Sequence, residues 1–242
     1  MKPRTEHPVV LGPRPRLRAR PPSETPDFTG LQAHLDAAPG GIEARYAWTL
    51  PGGGGASVRI VDVERAWRFT HEDLLEHQGG VIGGSPPDEV KPRNHGTAAT
   101  GVIGGDRNAF GVTGISFDAD VRGSSIMIAI PPFWVVENTA WAIWRSARAL
   151  RQGDIILLEL HRPGPRFDFQ PREDQKGYIA VEWWPCDFAA ILYATRRGVL
   201  VVEAAGNGQE SLDDTLYDRD PASRQAGGTR SGVDRAIPVP CS

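Results

Sequence analysis

Cysteine is scarce in this sequence, which contains only Cys186 and Cys241 among its 242 residues. A disulfide framework needs more cysteines than this, so we expect both to be free thiols. Their spacing relative to the histidines is not that of a zinc site. No other pattern in the sequence predicts a bound metal or cofactor.

Long apolar runs are also missing. No segment reaches the roughly 18 consecutive apolar residues that would predict a transmembrane helix, so no membrane partner is expected. The N-terminus carries early charges but no apolar stretch after them, so no signal peptide is predicted. The sequence as given therefore predicts a cytoplasmic protein.

Neither sign of charge dominates, because 27 basic residues stand against 30 acidic ones and leave a net charge of −3. This balance gives no electrostatic reason to expect a nucleic-acid partner. The chain is 40% hydrophobic and 24% charged, which is typical of a globular protein. A chain of this length can bury one substantial core, and nothing in its composition indicates an oligomeric state.

Residues 1–26 differ from the rest because they are rich in proline and arginine and poor in apolar side chains. They predict a disordered arm, with a propeptide remnant or a tether to an anionic partner as alternatives. Residues 27–242 are interpreted as one domain. Between residues 57 and 207, buried strands alternate with amphipathic helices, which predicts an α/β fold with a parallel sheet covered on both faces.

The predicted elements can be placed approximately along the chain. Strands are expected at 57–63, 121–130 and 154–160, and a fourth strand leads to Asn207. A helix is expected to open at His95 and run to about Ile103, and others cover 138–151 and 181–197. The segments 77–93 and 162–180 are interpreted as loops.

Three polar side chains stand at the ends of these elements. Asp62 closes a β-branched run, Asn207 follows another buried strand, and His95 lies at the mouth of a helix. A single histidine in such a place is more often a helix cap than a catalytic base. However, functional groups in open α/β sheets gather at the carboxyl ends of the strands, so these three side chains can converge.

Four segments support a more specific interpretation. They are Val61-Asp62 followed by His71-Glu72-Asp73-Leu74, then Asn94-His95-Gly96-Thr97 with Gly101, then Gly111-Val112-Thr113-Gly114-Ile115, and finally Val201-Val202-Glu203-Ala204-Ala205-Gly206-Asn207. Together and in this order they resemble the motifs of the subtilisin-like serine proteases, the subtilase family (peptidase S8). Glu64 and Arg65 depart from the family pattern, which places Asp-Thr/Ser-Gly at this turn.

The resemblance implies a three-layer, doubly wound, mostly parallel sheet and the hydrolysis of peptide or protein substrates. It implies that His95 acts as the general base, that Asp62 orients its ring, and that Asn207 donates to the oxyanion. Calcium is possible by this resemblance, although the sequence identifies no site for it. Members of the family are commonly exported, in contrast to the cytoplasmic location predicted above.

The resemblance also implies a substrate cleft. Leu158 and Leu160 belong to the strand that would pair with the peptide backbone. The small residues Ala204, Ala205 and Gly206 would form a wall of the specificity pocket. Glu159 and His161 lie in the segment where the family has Ser-Leu-Gly, which is expected to alter substrate preference.

The nucleophile motif of the family, Gly-Thr-Ser-x-Ala-x-Pro, does not occur in this sequence. The chain is therefore interpreted as an incomplete peptidase domain, truncated before the catalytic serine and near-inactive alone. The alternative is a non-catalytic pseudoprotease that holds an extended peptide in the same cleft. A nucleotide-binding domain is disfavoured, because neither a G-x-G-x-x-G nor a P-loop motif is present.

Overall fold

The structure is a computed structural model that describes residues 24–132 and 134–218. The strands are β1 Arg59–Glu64, β2 Gln78–Gly83, β3 Asp120–Ser125, β4 Met127–Ile130, β5 Trp134–Glu137, β6 Ile155–Leu158, β7 His161–Pro163, β8 Tyr178–Ala180 and β9 Leu200–Glu203. The α-helices are α1 Ala44–Ala47, α2 Val90–Gly104, α3 Thr139–Ala149 and α4 Pro185–Arg196. Short 3-10 helices cover Thr29–Leu31, Ala33–Leu35, Glu72–Leu74, Pro165–Phe167 and Val181–Trp183. Most of the predicted N-terminal arm and the residues after 218 lie outside the described residues.

Five strands form one sheet in the order β2-β3-β1-β6-β9, and every neighbouring pair is parallel. The α/β class and the parallel sheet predicted from the sequence are therefore confirmed. The first strand of the chain, β1, lies in the centre. Its β-branched residues are buried on both faces, as expected for a central strand of a parallel sheet.

Helices pack on both faces of this sheet. Val61 and Val63 of β1 point to one face and pack in the main core with α3 and α4. Ile60 points to the other face, where it packs in a second core cluster with Val121 of β3 and Ile103 of α2. The alternation along β1 follows the two-residue period of a strand and produces three layers.

Several predicted segments differ from the structure. The loop predicted at 77–93 contains β2 and the first turn of α2. The strand predicted at 121–130 is divided, because β4 leaves the parallel sheet and pairs with β5 as an antiparallel hairpin. The loop predicted at 162–180 contains β7 and β8, which also pair antiparallel. Both hairpins adjoin strand ends that point toward the same edge of the main sheet, so they border the region where the site was predicted.

Cys186 lies in the first turn of α4 and is disulfide-bonded. The prediction of a free thiol is therefore wrong for this residue, and Cys241 lies outside the described residues. Among the helices that the structure describes, none is long and apolar enough to cross a membrane.

One part of the sheet carries exposed apolar side chains. Leu200 and Val202 of β9 are 59% and 53% exposed. They pair with Ile155 and Leu157 of β6, which are only half-buried on the same face. This is the face on which α2 covers β1 and β3, so the apolar surface lies beside α2.

We expect this apolar surface to bind the dye ANS. Changing Leu200 and Val202 together to serine should lower ANS fluorescence, because it removes two exposed apolar side chains from one contiguous patch. Leu31→Ser is the matched control, since Leu31 is 82% exposed but lies elsewhere. An equal decrease in both variants would show that the β9 surface is not the dye-binding patch.

Candidate active site

His95 lies in the second turn of α2. The helix begins at Val90 with Glu89 as its N-cap residue, so the prediction that it opens at His95 is wrong by about one turn. The His95 side chain is 61% exposed, while the next residue, Gly96, is buried. The imidazole ring therefore stands at the surface while the helix behind it is closely packed.

The carboxylate that contacts His95 belongs to Glu64. Its Oε2 lies 2.9 Å from His95 Nδ1, and the Glu64 side chain is only 4% exposed. Glu64 is the last residue of β1, at the carboxyl end of the central strand. The structure thus joins a buried acid to an exposed imidazole. It gives Glu64 the hydrogen bond that the sequence prediction gave to Asp62.

Asp62 lies two residues earlier on the same face of β1 and is completely buried. Its Oδ2 accepts a hydrogen bond of 2.7 Å from Trp67 Nε1, and its Oδ1 has no hydrogen-bond partner among the residues that the structure describes. The Trp67 ring fills the space above Gly96 of α2 and Gly123 of β3, where an added Cβ would collide with it. Asp62 therefore fixes Trp67, and Trp67 packs against the residue next to His95.

A third carboxylate belongs to the same group. Ligand atoms of Glu64, His95 and Glu159 all lie within 4.8 Å of one another, and Glu159 follows directly after β6. Burial, reinforced by the charge of Glu159, raises the pKa of Glu64 to about 8. Burial and the charge of Glu64 raise the pKa of Asp62 well above its ordinary value. Both buried carboxyls therefore keep their protons to a higher pH than exposed carboxyls do.

Asn207 lies beyond the end of β9 and is exposed. Its backbone N–H donates to His161 Nδ1 at 3.1 Å, and its side-chain Nδ2 donates to Gln175 Oε1 at 3.5 Å. Burial, together with the charge of His95, lowers the pKa of His161. His161 thus stands between the two predicted residues, and the hydrogen bonds of Asn207 connect it to His161 and not to His95.

The residues predicted to bind substrate are not equally accessible. Leu158 is completely buried in the main core, so its side chain offers no surface to a peptide. Leu160, Ala204 and Gly206 are half-buried, and Ala205 is exposed. Four of the five predicted residues therefore retain accessible surface near the carboxyl edge of the sheet.

The structure also contains a shallow cavity of about 280 Å³. It is lined by Ala180, Glu182, Trp183, Phe188, Leu212 and Tyr217. None of the residues predicted to be catalytic or substrate-binding contributes to it. His95 therefore lies on an open surface and not in this cavity.

The comparisons with known proteins point to proteases. The chain is 28% identical over 141 residues to the "Extracellular serine protease" of Serratia marcescens, an alignment that covers 50% of this chain and 14% of that protein. It is 26% identical over 223 residues to the "Calcium-dependent protease" of Trichormus variabilis, covering 87% of this chain and 32% of that protein. The chain thus spans about a third or less of these relatives, and no family model matches it.

Sequence reasoning missed the contacts of Glu64 and Glu159. It treated Glu64 only as a departure at a turn and Glu159 only as a change in the cleft. The available signal was the two-residue period of β1, which places Glu64 on the same face as Asp62 and one step closer to the strand end. A carboxylate at the strand end is better placed to reach a helix that passes above it.

The close packing behind His95 can be tested at Gly96. A Cβ at this position would lie 2.3 Å from the Ala66 carbonyl oxygen and 2.8 Å from Trp67 Cδ1. Gly96→Ala should therefore destabilise the fold by about 1–3 kcal/mol, measured by chemical denaturation. Gly101→Ala in the same helix is the control, because a Cβ there meets nothing within 4 Å. It should be neutral or stabilising by up to about 1 kcal/mol, and equal losses in both would contradict this packing.

The raised pKa of Glu64 predicts how stability depends on pH. The ordinary value is 4.5 and the folded value is about 8, so between these values the folded state holds a proton that the unfolded chain releases. Stability should therefore fall as the pH rises through this range. Glu64→Gln should make denaturation midpoints at about pH 5 and about pH 8 more alike. Asp62 shifts in the same direction, so some slope should remain, but an unchanged slope would contradict the prediction.

Proposed function

We propose that this chain carries the acid–base pair of a subtilisin-like serine endopeptidase. The observation that carries the proposal is the 2.9 Å contact between buried Glu64 and exposed His95 at the carboxyl edge of a parallel sheet. The motif resemblance and the protease names of both relatives support it. Its substrates would be peptides or proteins.

In this mechanism His95 removes the proton from a serine hydroxyl as the oxygen attacks a peptide carbonyl. Its Nε2 must then be free of hydrogen, so Nδ1 must carry the hydrogen and donate it to an ionised Glu64. Since the pKa of Glu64 is about 8, the fraction of molecules in this state rises as the pH approaches that value. When His95 becomes an imidazolium, the carboxylate stabilises its positive charge.

The serine would come from outside the described residues. Within residues 24–132 and 134–218, Glu64 is the hydrogen-bond partner of the His95 side chain. Asn207 would still serve as the oxyanion donor if its side chain exchanged the long 3.5 Å contact with Gln175 for the substrate. Leu160, Ala204 and Ala205 would line the cleft beside it.

A peptide-binding pseudoprotease is the second candidate. One observation favours it: within the described residues, no hydroxyl group lies against the His95 ring. Such a protein would keep the cleft residues and would not need the acid–base pair. The two candidates therefore differ in whether changes at Glu64 and His95 affect any chemistry.

A fluorophosphonate probe separates the candidates, because it reacts only with an activated serine. The protein to label is the product of the longest open reading frame that contains residues 1–242, beside the 242-residue chain itself. We expect the longer product to be labelled and the 242-residue chain to remain at the background of the variant His95→Ala. No labelling of either protein would favour the binding module.

The same assay decides which acid serves His95. Glu64→Gln should slow labelling by about 10⁴-fold, the size of effect known for loss of the orienting acid in a serine protease triad. Asp62→Asn is the matched control, because the Asp62 side chain accepts a hydrogen bond from Trp67 whereas the hydrogen bond of His95 is to Glu64, and it should have a much smaller effect. The reverse ranking would restore Asp62 as the acid and would refute the role given to Glu64.

A further inference from the structure

Glu64, His95 and Glu159 form a group of potential metal ligands. Each offers an atom that lies within 4.8 Å of the atoms offered by the other two. The three residues come from β1, from α2 and from the segment after β6. Since β1 and β6 are paired neighbours in the sheet, the two carboxylates are held on one rigid edge.

The donor set fits zinc better than calcium. One imidazole nitrogen and two carboxylate oxygens are ligands that zinc accepts, and a tetrahedral ion with bond lengths of about 2.0–2.2 Å holds its ligand atoms about 3.4 Å apart. The 2.9 Å between Glu64 Oε2 and His95 Nδ1 is a hydrogen-bond distance, so these two atoms would separate by about 0.5 Å to take up the ion. Calcium takes oxygen ligands only, so the histidine argues against it.

A second observation points to a cation independently. The Glu64 side chain is 4% exposed, yet within residues 24–132 and 134–218 its Oε1 has no hydrogen-bond partner. A buried carboxylate oxygen without a partner is costly. The other oxygen of the same carboxylate contacts His95, so the unpaired oxygen belongs to a side chain that already contacts one of the other two ligand residues. A bound cation would satisfy it.

We propose that Glu64, His95 and Glu159 bind one zinc ion, with a water molecule as the fourth ligand. The exposed ring of His95 leaves a path for the ion from solvent. Zinc binding has a consequence for catalysis, and this consequence, unlike the binding itself, rests on the proposed function. A zinc-bound His95 cannot act as a general base, so zinc would inhibit the peptidase reversibly.

Binding is tested on the purified 242-residue chain with Zn²⁺, in competition with a chromogenic chelator. Co²⁺ serves as a second probe, because the visible absorption of the bound ion reports tetrahedral coordination. One equivalent of either metal should bind. Glu159→Gln and His95→Ala should each weaken zinc binding by about tenfold or more. Glu137→Gln is the control, because Glu137 lies on β5, is half-exposed and is paired with Arg65. This variant should bind zinc as the wild type does.

The outcomes separate the zinc site from the enzyme. Zinc binding that persists in both Glu159→Gln and His95→Ala would place the ion on other residues and overturn the proposal, as would failure of the wild type to bind. Zinc binding is measured by absorption and not by activity. The binding test therefore remains valid even if the labelling assay contradicts the peptidase proposal. Conversely, a labelled enzyme that zinc does not inhibit would reject the zinc site and retain the peptidase.

Discussion

The close approach of α2 to the end of β1 is the contact on which the site depends. It occurs at Gly96, where the helix backbone lies against the Ala66 carbonyl and the Trp67 ring with no room for a Cβ. The hydrogen bond from Trp67 to Asp62 fixes the ring from the other side. With the helix held at this distance, the neighbouring residue His95 reaches Glu64. Both residues belong to regular elements, a helix and a strand, and neither lies in a loop.

This arrangement explains why two adjacent carboxylates on one strand face have different surroundings. Asp62 is completely buried and accepts a hydrogen bond from Trp67. Glu64 lies one strand step further, where the helix exposes an imidazole. The sheet pairing extends to Glu64, which is opposite Ser125 of β3. The strand therefore ends one residue later than the range 57–63 expected from the sequence. The end of a strand is decided by its neighbours, and a single sequence does not show them.

The sequence was sufficient for the parallel sheet and for the position of β1, because buried β-branched runs are strong local signals. It was insufficient for β2, because the glycines in this segment are typical of a loop. The pairing of β2 with β3 is also irregular in register. It also missed the β7–β8 hairpin, which contains Pro163 and polar residues. These elements form through pairing with distant segments, and their own side chains carry little strand preference.

The carboxylate group also places an electrostatic requirement on whatever the site does. Glu64 and Glu159 lie close together, and the charge of Glu159 opposes ionisation of the buried Glu64 carboxyl. Such a pair is relieved by a proton or by a cation. An imidazolium at His95 during catalysis and a zinc ion at rest would supply the same compensation, so the two proposals depend on one property of the site.

The uncovered surface of the sheet lies next to this site. On the face that carries α2, the side chains of Leu157 and Val202 are paired across β6 and β9 near their carboxyl ends, and Val202 is exposed. Glu159 follows Leu158 at the same edge. Any segment that covered this face would therefore lie beside α2 with one end near His95. A segment in that position would bury the apolar patch and would also lie close to the proposed active site.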